Sequence, residues 1–104
     1  MTASLTRTIS PDESEVRIIL AGRMDSHLHA EFCEAYRSGP CAGVTYIIDL
    51  THVESIDSSA LGMFFQLREY AGGDSARIHF VGANAQVRQT LKLANFHQVF
   101  VIQE

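Results

Sequence analysis

Apolar and polar residues alternate or cluster in short segments along the chain, and these patterns predict its secondary structure. Five segments have the apolar patterning of β-strands: residues 5–9, 15–22, 44–50, 77–81 and 99–102. Residues 44–50 form the most continuous run of apolar and β-branched side chains, which is typical of a buried central strand. The first two strands are separated by the turn-forming residues 10–14, which indicates a hairpin.

Three other segments place apolar residues three and four positions apart, as one face of an amphipathic helix does. They cover residues 27–37, about 58–71 and about 85–94. The sequence Ser38-Gly39-Pro40 is expected to end the first helix, and Gly72-Gly73 to end the second. Residues 23–26 and 51–56 are interpreted as connecting loops.

The predicted order of elements is β-β-α-β-α-β-α-β, which indicates an α/β fold. Strand-helix-strand units favour parallel pairing with right-handed crossovers, whereas the opening hairpin adds an antiparallel edge. We therefore expect one domain over residues 1–104, with a mixed sheet of four to five strands and helices mainly on one side.

The segment 44–62 joins the predicted central strand to the start of the second helix, where Asp57, Ser58 and Ser59 lie. Asp and Ser side chains accept hydrogen bonds from the free backbone N–H groups of a helix N-terminus. That end of a helix also favours negative charge, so a phosphate on a serine there would find unpaired donors. The sequence thus predicts a phosphorylation switch at this helix start, with Ser58 and Ser59 as the two candidate acceptors. The competing interpretation is that Ser58 is an unmodified helix cap.

Charge and composition narrow the function classes. The 104 residues include 12 acidic and 8 basic side chains, for a net charge of −4 with no basic stripe, so a nucleic-acid partner is not expected. No apolar run approaches the roughly 20 residues of a membrane span, and the N-terminus lacks a signal-peptide pattern, so we expect a cytoplasmic protein without membrane contact. Cys33 and Cys41 are expected to be free thiols.

Catalytic and metal chemistry find little support in the sequence. His29 and Cys33 are four residues apart and could share a helix face, but His27 would not join them, and no second cluster completes a metal site. Neither a Gly-x-Ser-x-Gly elbow nor a Gly-rich phosphate cradle is present. We therefore expect no metal, no cofactor, no catalytic residues and no enzymatic activity.

The sequence Asp57-Ser58-Ser59-Ala60-Leu61-Gly62-Met63 resembles the D-S-(S/T)-(G/A)-L-G segment of STAS domains, the bacterial anti-sigma-factor antagonists. The preceding strand, the Gly22-Arg23-Met24-Asp25 loop and the segment from Phe80-Val81-Gly82 to Leu93-Ala94 also match the layout of that family. The resemblance covers nearly the whole chain. Ala60 departs from the commonest pattern, in which many members have glycine.

The resemblance implies a binding module whose first serine after the aspartate, here Ser58, is phosphorylated by a kinase-like anti-sigma factor. The unphosphorylated form would bind that partner and free a sigma factor, and a metal-dependent serine phosphatase would reverse the modification. Expected partner-contact residues are Asp25, Asp57, Ser58, Ser59 and Met63. Asp25 could equally be a plain helix cap, and Asp57 could order the helix start.

Two further points stay open on the sequence alone. Met63 and Phe64 could form an exposed apolar contact patch beside Ser58, although the helical spacing of Phe64 also suits the core. The protein, expected to be a monomer, could alternatively be a constitutive accessory subunit of a transporter or another regulatory complex, with Ser58 purely structural.

Overall fold

A computed structural model describes residues 4–37 and 43–103. The described chain is an α/β fold with one five-stranded sheet and three α-helices. In chain order the elements are β1 (Ser4–Ile9), β2 (Glu15–Met24), α1 (His29–Arg37), β3 (Thr45–Ile56), α2 (Ser58–Tyr70), β4 (Arg77–Val81), α3 (Ala85–Leu93) and β5 (Val101–Ile102). Single 3₁₀ turns at Ser26–Leu28, Gly73–Ser75 and Phe96–Gln98 precede α1, β4 and β5.

The strands lie in the order β1-β2-β3-β4-β5. β1 pairs antiparallel with β2, and each later pair is parallel. This arrangement confirms the predicted mixed sheet with an N-terminal hairpin. Because β2, β3 and β4 are parallel, the segments that follow them emerge at one edge of the sheet, and α1, α2 and α3 start there.

One face of the sheet carries the core, because alternate residues of β2, β3 and β4 point under the helices. Phe64 of α2 is fully buried at the centre of this layer. Its ring lies 5.6 Å from Phe32, 4.9 Å from Phe80 and 6.3 Å from Phe96, measured between centroids in edge-on geometry. The residues on the opposite face stay half-buried or exposed, which confirms helices mainly on one side.

Of the two segments interpreted as loops, residues 51–56 are strand throughout, and residues 23–24 of the 23–26 segment are strand as well. β2 runs to Met24, and β3 continues through residues 51–56 to Ile56. Two register shifts in the pairing, between Ile19 and Ala21 and between Gly22 and Arg23, let the strands stay paired to their ends. The polar residues of this part of β3 concealed the strand, since only Val53 within it is fully buried.

Other boundaries differ by smaller amounts. α2 ends at Tyr70 and α3 at Leu93, one residue before each predicted end. The last strand is shorter than the predicted residues 99–102, because Phe96–Gln98 forms a 3₁₀ turn and β5 comprises Val101–Ile102 alone. The Ser38-Gly39-Pro40 stop signal lies outside the described residues. Among those residues, no helix combines the length and hydrophobicity needed to cross a bilayer.

Candidate functional site

The ends of β2 and β3 bring two acidic residues to one edge of the sheet. Met24 pairs with Ile56 at the last rung of the two strands. The next residues, Asp25 and Asp57, therefore emerge side by side, and the Asp57 backbone N–H donates to the Met24 carbonyl at 3.1 Å. The start of α2 is thus fixed directly to the end of β2.

Asp57 is the N-cap of α2. Its backbone is extended, and its Oδ1 accepts a hydrogen bond from the backbone N–H of Ala60 at 3.0 Å. Ser58 and Ser59 consequently occupy the first and second helical positions. The interpretation of Ser58 as the cap is therefore wrong, because a carboxylate one residue earlier already performs that role.

The side chains of Ser58 and Ser59 are exposed to solvent. Within the described ranges neither side chain makes a hydrogen bond. Their backbone N–H groups belong to the first helical turn, which has no intrahelical acceptor for them. These donors and the positive end of the helix dipole favour an anionic group at this position.

Asp25 lies beside this helix start and caps the 3₁₀ turn Ser26–Leu28. Its Oδ1 accepts from the backbone N–H of His27 at 2.9 Å and lies 2.9 Å from Nδ1 of the same residue. The backbone hydrogen bond, followed by the side-chain one, lowers the pKa of Asp25. The edge therefore carries an ionised carboxylate next to the Asp57 cap, and Asp25 does act as a cap.

Asn84 is a third capping residue at this edge, and the sequence interpretation gave it no role. Its Oδ1 accepts from the Val87 N–H at 2.8 Å, which caps α3, while its Nδ2 donates to the Val53 carbonyl at 3.1 Å. A helix-capping residue before an amphipathic segment was the available signal. The sequence offered no signal for the contact of Asn84 with β3, because that contact depends on the unexpected extension of the strand.

Gly82 allows the β4–α3 connection to lie against β3. Its φ is +75°, and a Cβ there would collide with the Thr51 hydroxyl and stand 3.1 Å from the Thr51 Cα and N. Glycine alone avoids both the left-handed strain and this collision. The residue thus fixes the position of α3 at the same edge as Ser58.

Met63 and Phe64 do not form the exposed patch that the sequence left open as one alternative, and the helical spacing of Phe64 pointed to the core correctly. Met63 is 3% exposed and Phe64 is fully buried, so both side chains belong to the core. The residue of α2 that is exposed one turn after Ser58 is Gly62, and a Cβ built there would meet nothing within 4 Å. The surface of α2 at position 62 is therefore bare backbone.

The histidine and cysteine residues considered for metal binding do not converge. The His27 ring contacts Asp25, whereas the His29 ring bonds Gln66 Oε1 at 2.8 Å and lies 3.7 Å from the Cys33 sulfur. The described residues contain no group of three or more potential His, Cys, Asp or Glu ligands. Cys33 is a half-buried free thiol, and Cys41 lies outside the described residues.

Comparison with known proteins adds family and fold information. The family model described as "Mlab, STAS domain" matches residues 8–103. A STAS-domain containing protein of Pseudomonas aeruginosa is 37% identical over 99 residues, covering 95% of this chain and 98% of that protein.

Solved structures of low sequence identity share the fold. A proposed anti-sigma factor antagonist of Thermotoga maritima superposes with a TM-score of 0.81 at 20% identity, covering 96% of this chain and 86% of that one. The unphosphorylated anti-sigma factor antagonist SpoIIAA gives a TM-score of 0.75 at 18% identity, covering 97% and 89%. The phosphorylated form of the Bacillus protein gives 0.68 at 15% identity, covering 97% and 92%. The chain therefore has the SpoIIAA-like fold.

Proposed function

Since the chain belongs to the STAS domain family, we propose that it is a phosphorylation-controlled protein-binding switch of the anti-sigma-factor antagonist class. Residues 1–104 act as one STAS domain, as a binding module and not as an enzyme. In the unphosphorylated state it binds a kinase-like anti-sigma factor in the cytoplasm, and phosphorylation of Ser58 by that partner ends the complex. A serine phosphatase restores the binding state.

The observation that carries this proposal is the division of roles at the start of α2. Asp57 caps the helix, so the exposed Ser58 hydroxyl has no structural bond to lose when it is modified. The partner supplies the nucleotide and the base for phosphate transfer. The fold itself is compatible with both states, since SpoIIAA of the same fold has been solved in phosphorylated and unphosphorylated forms.

Phosphorylation would change the binding surface more than the fold. The group adds about −1.5 to −2 charges at pH 7. The N-terminus of α2 stabilises this charge by up to about 1 kcal/mol, while Asp25 and Asp57 at the same edge oppose it. Because these local effects partly cancel, the fold remains intact. A partner that packs on this edge must instead bury an unpaired dianion, which is costly.

Ser58 is the proposed acceptor because it is the first serine after the capping aspartate, as in the STAS motif. Ser59 is equally exposed, one position further into the helix, and serves as the natural control. The partner surface comprises Asp25, Asp57, Ser58 and Ser59, together with the bare backbone at Gly62 in place of the buried Met63.

The test is phosphate incorporation by a kinase-like anti-sigma factor from the same genome, mapped by mass spectrometry. Wild type and Ser59→Ala should take up one phosphate at residue 58, and Ser58→Ala should take up none beyond weak labelling at Ser59. Phosphate found solely at another residue would refute the acceptor assignment. Tight binding without any phosphate transfer would instead identify a constitutive accessory subunit.

A further inference from the structure

Charged residues are unevenly distributed along the sequence, and the C-terminal part of the chain, which includes the edge strand β5, has few acidic residues. Residues 75–104, which include β4, α3 and β5, contain three of the eight basic residues and one of the twelve acidic ones, Glu104. Two of these basic residues, Arg88 and Lys92, lie one helical turn apart on α3. With three basic and one acidic side chain, this segment has a formal net charge of +2, whereas the whole chain has a net charge of −4.

A groove of about 450 Å³ lies between α3 and the C-terminal segment on this side. We call it the α3–β5 groove, and its lining residues are Ala85, Arg88, Gln89, Lys92, His97 and Ile102. The four α3 residues are spaced three and four apart and form one helix face. The side chains of Arg88 and Lys92 line the groove together with the apolar residues Ala85 and Ile102. The groove thus offers cationic groups and apolar contact area together.

Two further features mark this face as a contact surface. Lys92 is exposed and makes no ion pair with any residue in the ranges 4–37 and 43–103. Its neighbour Leu93 is 79% exposed, the highest value among the large apolar side chains that the structure describes as exposed. An exposed leucine next to a cationic groove is a combination that suits an amphipathic partner.

We propose that the α3–β5 groove is a second docking surface, which binds an acidic amphipathic segment of a partner protein. A carboxylate on that segment pairs with Lys92, and its apolar face contacts Leu93. The surface is separate from the Ser58 edge, so this docking does not depend on phosphorylation.

The chemistry of the groove favours a protein over the other possible occupants. Recognition of an anionic membrane uses clusters of about four to eight Lys or Arg side chains, whereas this groove has two. A second copy of the chain could offer the exposed Glu31 of α1, which packs near β1 at the far edge of the sheet. That contact would be head-to-tail and would build rings or open chains rather than a two-fold symmetric dimer.

The probe is a synthetic 16-residue amphipathic helix with glutamates four residues apart and a neighbouring leucine stripe, titrated into the full chain and followed by fluorescence anisotropy. Wild type should bind it, and Lys92→Glu should weaken the affinity at least fivefold. Lys92→Ala should weaken it less, and Leu93→Ala should also weaken it. The matched control is Arg77→Glu, which makes the same charge change outside the groove and should alter the affinity less than twofold. Ser58→Asp should have no effect.

Further controls distinguish an acidic protein segment from the other possible occupants of the groove. The peptide with lysines in place of glutamates should not bind, and raising the salt concentration should weaken the acidic peptide because exposed charge pairs are screened. Thermal melting establishes that each variant is folded. The proposal is overturned if wild type does not bind the acidic peptide at about 1 mM, or if Lys92→Glu and Arg77→Glu weaken the affinity for the peptide equally. Binding to phosphatidylglycerol vesicles, or self-association, that is abolished by Lys92→Glu would also overturn it.

Discussion

Gly62 provides a test in which stability and binding should change in opposite directions. Glycine inside a helix costs about 0.8 kcal/mol relative to alanine. At Gly62 a Cβ would enter open space, so the Gly62→Ala variant gains this propensity without a collision. The free energy of unfolding should therefore rise by about 0.8 kcal/mol, and the melting temperature by about 3–6 °C for a domain of this size.

Partner binding should weaken in the same variant. The bare backbone at Gly62 lies one helical turn from Ser58, and a methyl group there would hold a closely packed partner away. We expect about a tenfold loss of affinity, which corresponds to about 1.4 kcal/mol. Glu69→Ala, at the exposed far end of α2, is the matched control and should leave binding unchanged.

Urea unfolding and calorimetric titration of the anti-sigma factor measure the two halves separately. Unchanged affinity in Gly62→Ala would remove this stretch of α2 from the partner surface. A loss of stability in that variant would contradict the helix-propensity argument.

Three other variants test the local structure. Asp57→Ala should destabilise the fold by about 1 kcal/mol in urea unfolding, whereas Asp57→Asn, which keeps the capping oxygen, should cost only a few tenths; equal losses would rule out the cap. Gly82→Ala should cost more than about 1 kcal/mol, because φ is +75° and the Cβ meets Thr51, and an undisturbed melting temperature would contradict that contact. Hydrogen bonds from the Ser14 and Ser10 hydroxyls and from the Ser14 N–H lower the pKa of Asp12 to about 2. Because this folded-state pKa lies below the ordinary value of 3.8 for an aspartate, the stabilisation is present above pH 3.8 and is lost as the pH falls towards 2. NMR titration of the Asp12 carboxyl should show a higher pKa in Ser14→Ala than in wild type. An unchanged pKa in this variant would refute the role of the Ser14 hydrogen bond.

Local signals in the sequence identified most of the elements correctly. The start of α2 at Ser58 and of α3 at Ala85 matched their predicted positions, because capping residues act on the turn that follows them. The end of β3 was missed since its pairing depends on register shifts against β2, which are a property of two strands rather than of either sequence. When the sequence of such a strand end is considered without its neighbouring strand, its polar residues resemble those of a loop.

The site was predicted less completely than the fold. Sequence reasoning located Asp57, Ser58 and Ser59 at the helix start but left the capping role undecided between the aspartate and the serine. Met63 was assigned to the surface on the strength of its place beside the motif, although its spacing from Ala60 and Leu67 matches their buried face. The contacts of Asn84 with β3 span 31 residues of sequence, so no local pattern could reveal them.

The central claim is that the phosphorylation state of Ser58 controls partner binding. The most direct measurement is calorimetric titration of the anti-sigma factor with wild type, enzymatically phosphorylated protein, Ser58→Asp and Ser58→Ala, each with its melting temperature. We predict that the phosphorylated protein and Ser58→Asp bind at least tenfold more weakly, about 1.4 kcal/mol. Ser58→Ala should bind like wild type, and all four should melt within a few degrees of each other. Equal affinity of the unmodified and phosphorylated proteins would contradict the account.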